Sequence, residues 1–70
     1  MYWNEIRRSE HYEKYHKGEL PWSEVVKLIY SIKNKKKNGD KIQIEDEKFY
    51  ILGQVRSKTL FIINVKRKGG

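Results

Sequence analysis

The apolar residues of this chain gather into two runs, Leu20 to Ile32 and Phe49 to Val65, and the two runs have different periods. In the first, Trp22, Val25, Val26, Ile29 and Ile32 recur at spacings of three and four, which lines them along one face of a helix. Pro21 sets the backbone angle for the first turn, and Glu24 suits the positive end of the helix dipole. Leu28 and Tyr30 widen the apolar face, which predicts a helix covered on more than one side. The second run has the pattern of strands. Phe49 to Val55 is apolar on both faces at Phe49, Tyr50, Ile51 and Leu52, and Thr59 to Lys66 is rich in β-branched residues. Just ahead of them, Ile42 and Ile44 alternate with Lys41, Gln43 and Glu45, so this segment predicts a strand with one wet face. Glu45-Asp46-Glu47 and Arg56-Ser57-Lys58 read as the intervening turns. Gly53, in mid-strand, signals a bulge or the close approach of another backbone.

The remaining segments are read from their breakers. From Asn4 to Lys17 there is neither glycine nor proline, and the residues are mostly compatible with helix. Trp3 and Ile6 share one helical face, and Tyr12, Tyr15 and His16 another. Ser9 is placed to restart the segment as an N-cap, giving a helix from Glu10 that Gly18 ends. Lys33 to Asp40 is polar and basic and closes with Asn38-Gly39-Asp40, which predicts a connection from a fraying helix to the sheet. The expected fold is α+β, with two N-terminal helices packed on a three-stranded antiparallel meander. Residues 1–68 form a single domain, and 69–70 are a flexible tail.

A chain of seventy residues is near the lower limit for independent folding. It has no cysteine, so neither disulfides nor a cysteine-ligated zinc site can staple it, and stability must come from packing, ion pairs or a homodimer. No apolar run approaches the roughly 18 residues that span a bilayer, and the first residues lack the pattern of a signal peptide. The expectation is a cytoplasmic protein with no membrane partner. Abundant lysine, glutamate, isoleucine and tyrosine, with a single methionine, match the usage of thermophilic proteins.

The formal charge is +7. A charged surface is expected of a thermophilic protein, but ion-pair networks tend to balance, whereas this excess is one-sided. A field of that sign attracts polyanions. Lys35, Lys36 and Lys37, with Arg56, Lys66 and Arg67, are the candidate contacts to a phosphate backbone. Tyr12, Tyr15 or Trp22, where exposed, are candidates to stack on single-stranded bases.

His11 and His16 are five residues apart and diverge by about 140° on a helix, a poor arrangement for one metal ion, and no third ligand joins them at helical spacing. As acids or bases they fit better. Metal-free RNA cleavage needs a group to deprotonate the 2′-hydroxyl, one to protonate the leaving oxygen, and cations for the phosphorane charge. His11, Lys14 and His16 are the candidate catalytic residues, set among Tyr12, Tyr15 and Lys17. The bland alternative is a solvated helix whose tyrosines pack on the sheet. There is no glycine-rich phosphate loop and no paired carboxylate spacing, so no cofactor is expected.

The stretch His11-Tyr12-Glu13-Lys14-Tyr15-His16-Lys17-Gly18-Glu19-Leu20-Pro21-Trp22-Ser23-Glu24-Val25-Val26 resembles small RelE-like toxins of the BrnT type. In those proteins a segment bearing histidine and lysine ends in glycine, and an aromatic or apolar residue with acidic neighbours then opens an amphipathic helix. A basic turn and antiparallel strands follow. The resemblance is one of pattern over most of the chain. It implies a ribosome-independent ribonuclease neutralised by an antitoxin protein, with His11, Lys14, His16, Arg56 and Arg67 as the positions carried over. Where that family opens on a strand, this chain reads as helix, and no C-terminal helix follows Lys68.

The leading expectation is therefore a small basic nucleic-acid-binding domain, directed to RNA rather than DNA. The alternatives are a metal-free ribonuclease toxin, and a protein-interaction or homodimerising module with Tyr2, Trp3 or Tyr50 at its interface.

Overall fold

In the computed structural model the described residues are 3–15 and 20–68, with Tyr15 described through its backbone only. They form β1 (Glu5–Arg8), α1 (Glu10–Tyr15), α2 (Trp22–Ser31), β2 (Lys35–Asn38), β3 (Lys41–Glu45), β4 (Phe49–Arg56) and β5 (Thr59–Arg67). The strands make one mixed five-stranded sheet in the order β1-β5-β4-β3-β2. The meander β3-β4-β5 lies at its centre, and β1 joins β5 in parallel. This corrects the expected fold of two N-terminal helices on three strands.

Both additional strands lie in segments whose local composition argues for something else. Glu5-Ile6-Arg7-Arg8 is built of residues with good or moderate helix propensity. What makes it a strand is the distant β5, in a register that sets Ile6 against Leu60 and Arg8 against Ile62. Trp3 and Ile6 thus do not share a helical face. Trp3 is buried in the core and Ile6 packs against it from the edge of the sheet. Lys35-Lys36-Lys37-Asn38, read as a loop, is a strand paired antiparallel with β3. Lysine is disfavoured inside sheets but common on their edges, where its charge deters an incoming strand.

The helix starts follow the local chemistry. Ser9 caps α1: its Oγ accepts the N–H of Tyr12 at 3.1 Å and its carbonyl that of Glu13 at 3.1 Å. Its predicted end at Gly18 lies outside the described residues. Pro21 precedes the first residue of α2, and its carbonyl accepts the N–H groups of Glu24 and Val25. Val25 and Ile29 are buried, Val26 and Leu28 half-buried, and Ile32 is buried just past the helix. Tyr30 is 53% exposed, so the apolar face is narrower than its sequence suggests. At the C-terminal end, the Lys35 ammonium donates to the Ile32 carbonyl, the favoured sign of charge for that end.

The core is one cluster on one face of the sheet. Ile42, Ile44, Ile51, Leu60, Ile62 and Val65 meet Tyr12, Leu20, Val25, Ile29 and Ile32 there. Fully burying an aliphatic side chain of this size is worth about 1.5–3 kcal/mol, so this layer dominates the stability of so small a fold. Gly53 sits in it and fulfils both of its expectations. The pairing shifts between Leu52↔Asn64 and Gly53↔Ile62, which leaves Ile63 as the extra residue of a bulge.

Candidate nucleic-acid interface

Alternation along the strands decides which basic residues share a surface. With the apolar side chains of β3, β4 and β5 turned to the core, where Tyr12, Val25 and Ile29 of the helices pack, their neighbours project from the opposite face. Across the middle of that face runs Arg7, Phe61, Gln54, Lys41 and Asn38, one residue from each strand in register. The next row holds Asn64, Leu52, Gln43 and Lys36, and the one beyond it Lys66, Tyr50 and Glu45. Arg56 and Thr59 close the other end.

The face is therefore an aromatic and aliphatic centre in a cationic frame. Tyr50, Leu52, Phe61 and Ile63 are half-buried, while Lys36, Lys41, Arg56 and Lys66 are exposed. The two carboxylates that its strands carry are already matched. Glu5 pairs with Arg7 at 2.7 Å, and Glu45 with Lys68 at 2.7 Å. No ion pair among the described residues engages Lys36, Lys41, Arg56 or Lys66. Asp40, at the turn from β2 to β3, accepts a hydrogen bond from Gln54 Nε2 at 2.6 Å. That bond is the main cause holding the Asp40 carboxyl below the ordinary aspartate range, with help from the charges of Lys41 and Arg56.

The same alternation divides the residues expected to touch phosphate. Lys36, Arg56 and Lys66 are on the open face; Lys35, Lys37 and Arg67 are on the helix side. Lys35 is half-buried against the end of α2, and the Lys37 ammonium donates to the Gly39 carbonyl at 2.6 Å. Nor do the basic segments converge on one edge. Arg56 and Lys66 are at opposite ends of the β4–β5 ladder, where Arg56 pairs with Thr59 and Lys66 with Tyr50. Arg56 is six steps along the strand from Tyr50, roughly 20 Å. The cations form a frame rather than a cluster.

The aromatic candidates also change. Tyr12 is only 1% exposed, and its ring meets Trp22 edge-on at 5.6 Å. The Arg8 guanidinium sits 5.3 Å over the Trp22 ring and is held by Glu13 at 2.9 Å. These rings are occupied by the fold itself. Among the described residues, Tyr50 and Phe61 are the aromatic residues on the open face. The sign of them in the sequence was the two-residue period that sets Tyr50 and Leu52 opposite Ile51, and Phe61 opposite Leu60 and Ile62.

Beside Phe61 the face deepens into a cleft of about 540 Å³ between the start of α1 and the strands. His11 and Arg56 line it together, with Arg8, Gln54, Phe61 and Ile63. Of the expected catalytic residues, His11 is thus brought to the sheet. Lys14 is exposed on α1 and does not line the cleft, and His16 lies outside the described residues. A wider cleft of about 670 Å³ lies between the end of α2 and the β3–β4 turn, but Glu45, Asp46 and Glu47 give it the wrong sign for phosphate.

No three metal-ligating side chains come together among the described residues, and no described helix is long and apolar enough to cross a membrane. Compared with known proteins, the chain matches no family model, no curated sequence and no solved structure.

Proposed function

We propose that the open face of the sheet binds single-stranded nucleic acid, with RNA as the natural ligand. The observation that carries this reading is the placing of Tyr50 and Phe61 among four cations, Lys36, Lys41, Arg56 and Lys66, that make no ion pair among the described residues. Bases stack on aromatic rings whatever their sequence, and lysine and arginine at the rim take the phosphates. A sheet face with exposed ring surface suits unstacked bases better than a duplex, whose bases are hidden.

Incubation with a labelled mixed-sequence RNA in EDTA across a salt series tests this. With one phosphate neutralised by each of Lys36, Lys41, Arg56 and Lys66, log affinity falls with log salt at a slope of roughly −3, or ~50-fold from 50 to 200 mM. Retention that ignores salt would remove the reading.

A second reading rests on the cleft that His11 shares with Arg56. There a histidine can take the proton of a 2′-hydroxyl as its oxygen attacks phosphorus and the P–O5′ bond breaks, the leaving 5′-oxygen taking a proton from water, while arginine stabilises the added charge. This is the chemistry that the resemblance to BrnT-type toxins implies. The strand with which that family opens has a counterpart in β1, which supports carrying the resemblance forward as a proposal, together with an antitoxin partner. In the same EDTA experiment, discrete fragments that disappear in His11→Ala would favour cleavage over binding alone.

A further inference from the structure

The two edges of the sheet are built differently. β2 presents three lysines in four residues, a pattern that repels an added strand. β1 presents Glu5-Ile6-Arg7-Arg8, and along its outer side runs a groove of about 380 Å³ walled by Glu13 and Trp22.

The backbone of β1 is ready for pairing on that side. Ser9 N–H bonds the Ile62 carbonyl at 3.1 Å, and in the ladder Arg8 lies opposite Ile62. Successive residues of a strand direct their N–H and C=O groups to opposite sides, so Glu5, Arg7 and Ser9 address β5 while Ile6 and Arg8 address the groove. Among the described residues no backbone hydrogen bond reaches Ile6 or Arg8 from the outer side.

We infer that β1 pairs antiparallel with β1 of a second copy of this chain, about a two-fold axis at Ile6. The charge pattern selects both the occupant and the register. With Ile6 opposite Ile6, each Glu5 stands opposite the other copy's Arg7, giving two opposite-charge cross-strand pairs. Moving the axis to Arg7 sets Arg7 against Arg7, and moving it to Glu5 sets Glu5 against Glu5, both repulsive. In the favoured register Ile6, whose outward groups meet no other described backbone, exchanges both N–H···O=C bonds with its counterpart. The apolar side chain meets its equal on the core side of the sheet, and the charges meet on the open face.

The product is a continuous ten-stranded sheet, with the lysine-rich β2 strands as its outer edges. The two open faces become one surface, and the two Glu5–Arg7 pairs lie along its seam. This inference stands apart from the binding reading: it rests on the edge strand alone.

Sedimentation equilibrium from micromolar to millimolar protein tests it, with the parent chain expected to approach twice the 8.5 kDa of the monomer. Glu5→Lys and Arg7→Glu each turn two attractions into two repulsions, and each is expected to raise the dissociation constant about tenfold or more. Both positions are exposed, so circular dichroism should stay that of the parent. The double variant Glu5→Arg with Arg7→Glu restores opposite charges and should dimerise like the parent. A parent chain monomeric at millimolar concentration, single reversals that dimerise unchanged, or a double variant that stays monomeric would each overturn the inference.

Discussion

A methyl group placed on Gly53 would stand 2.6 Å from Leu60 Cδ1 and 3.3 Å from the Phe61 carbonyl oxygen. Leu60 is fully buried, so its side chain has little room to retreat. Gly53 also marks the bulge that adds Ile63 to β5, so the residue both closes the core and shapes the open face above it. Gly53→Ala is expected to destabilise the fold by about 1–3 kcal/mol through overpacking. Urea unfolding followed by circular dichroism measures it. A variant as stable as the parent would mean that Leu60 can move aside.

The turn from β4 to β5 stores strain that substitution can release. Ser57 and Lys58 both adopt positive φ, 50° and 61°, between the paired residues Arg56 and Thr59. A two-residue hairpin of this hand favours Asn-Gly, because a side chain at positive φ crowds the backbone. Lys58→Gly is expected to stabilise the domain by about 0.5–1 kcal/mol. Thermal unfolding at fixed salt would detect it as a higher midpoint. The other tight turn has no such reserve, since Gly39 already occupies its positive-φ position at 65°.

Much of this was legible in the residues, and the limits have physical causes. The strands Lys41–Glu45 and Phe49 onward were visible because isoleucines alternate with polar residues, or because apolar runs lie between turn formers. The helix from Trp22 was visible in its three-four spacing. The two edge strands were not. Glu5–Arg8 is held by β5, some fifty residues later, and four residues of good helix formers carry no period that reveals it. Lys35–Asn38 hides as a basic loop because lysine suits an exposed edge and a solvated connection equally. Losing β2 had a direct consequence for the site. Without its alternation, Lys35, Lys36 and Lys37 look like one patch, whereas the strand turns Lys36 to one face and its neighbours to the other.

The bond from Gln54 to Asp40 ties the open face to the β2–β3 turn and makes a titration prediction. A carboxyl whose pKa is depressed in the folded state adds stability that is present above its unfolded value and lost as pH falls through the folded one. Asp40 is of this kind, and the largest cause is the Gln54 amide. Its carboxyl carbon shift in an NMR titration should show a midpoint below the ordinary aspartate range. In Gln54→Leu the midpoint should move up toward that range, leaving the weaker influences of Lys41, a backbone hydrogen bond and Arg56. An unmoved midpoint would show that the hydrogen bond does not persist in solution.

The division of the basic residues by strand alternation gives the sharpest test of the binding surface, because it separates neighbours in sequence. Lys36, Arg56 and Lys66 rise from the open face; Lys35, Lys37 and Arg67 from the other side. All six carry the same charge, so a diffuse attraction to the whole protein would weaken equally when any one is lost. A track on the open face would not. Alanine at Lys36, Arg56 or Lys66 should weaken RNA retention and flatten the salt slope by about 0.7–1 each, the share of one phosphate contact. Alanine at Lys37 or Arg67 should leave the slope unchanged. Lys35→Ala should instead lower the thermal midpoint, because the lysine donates to the last carbonyl of the α2 end, with the slope again unmoved. Equal losses at Lys36 and Lys37 would replace the track on one face with attraction to the net charge.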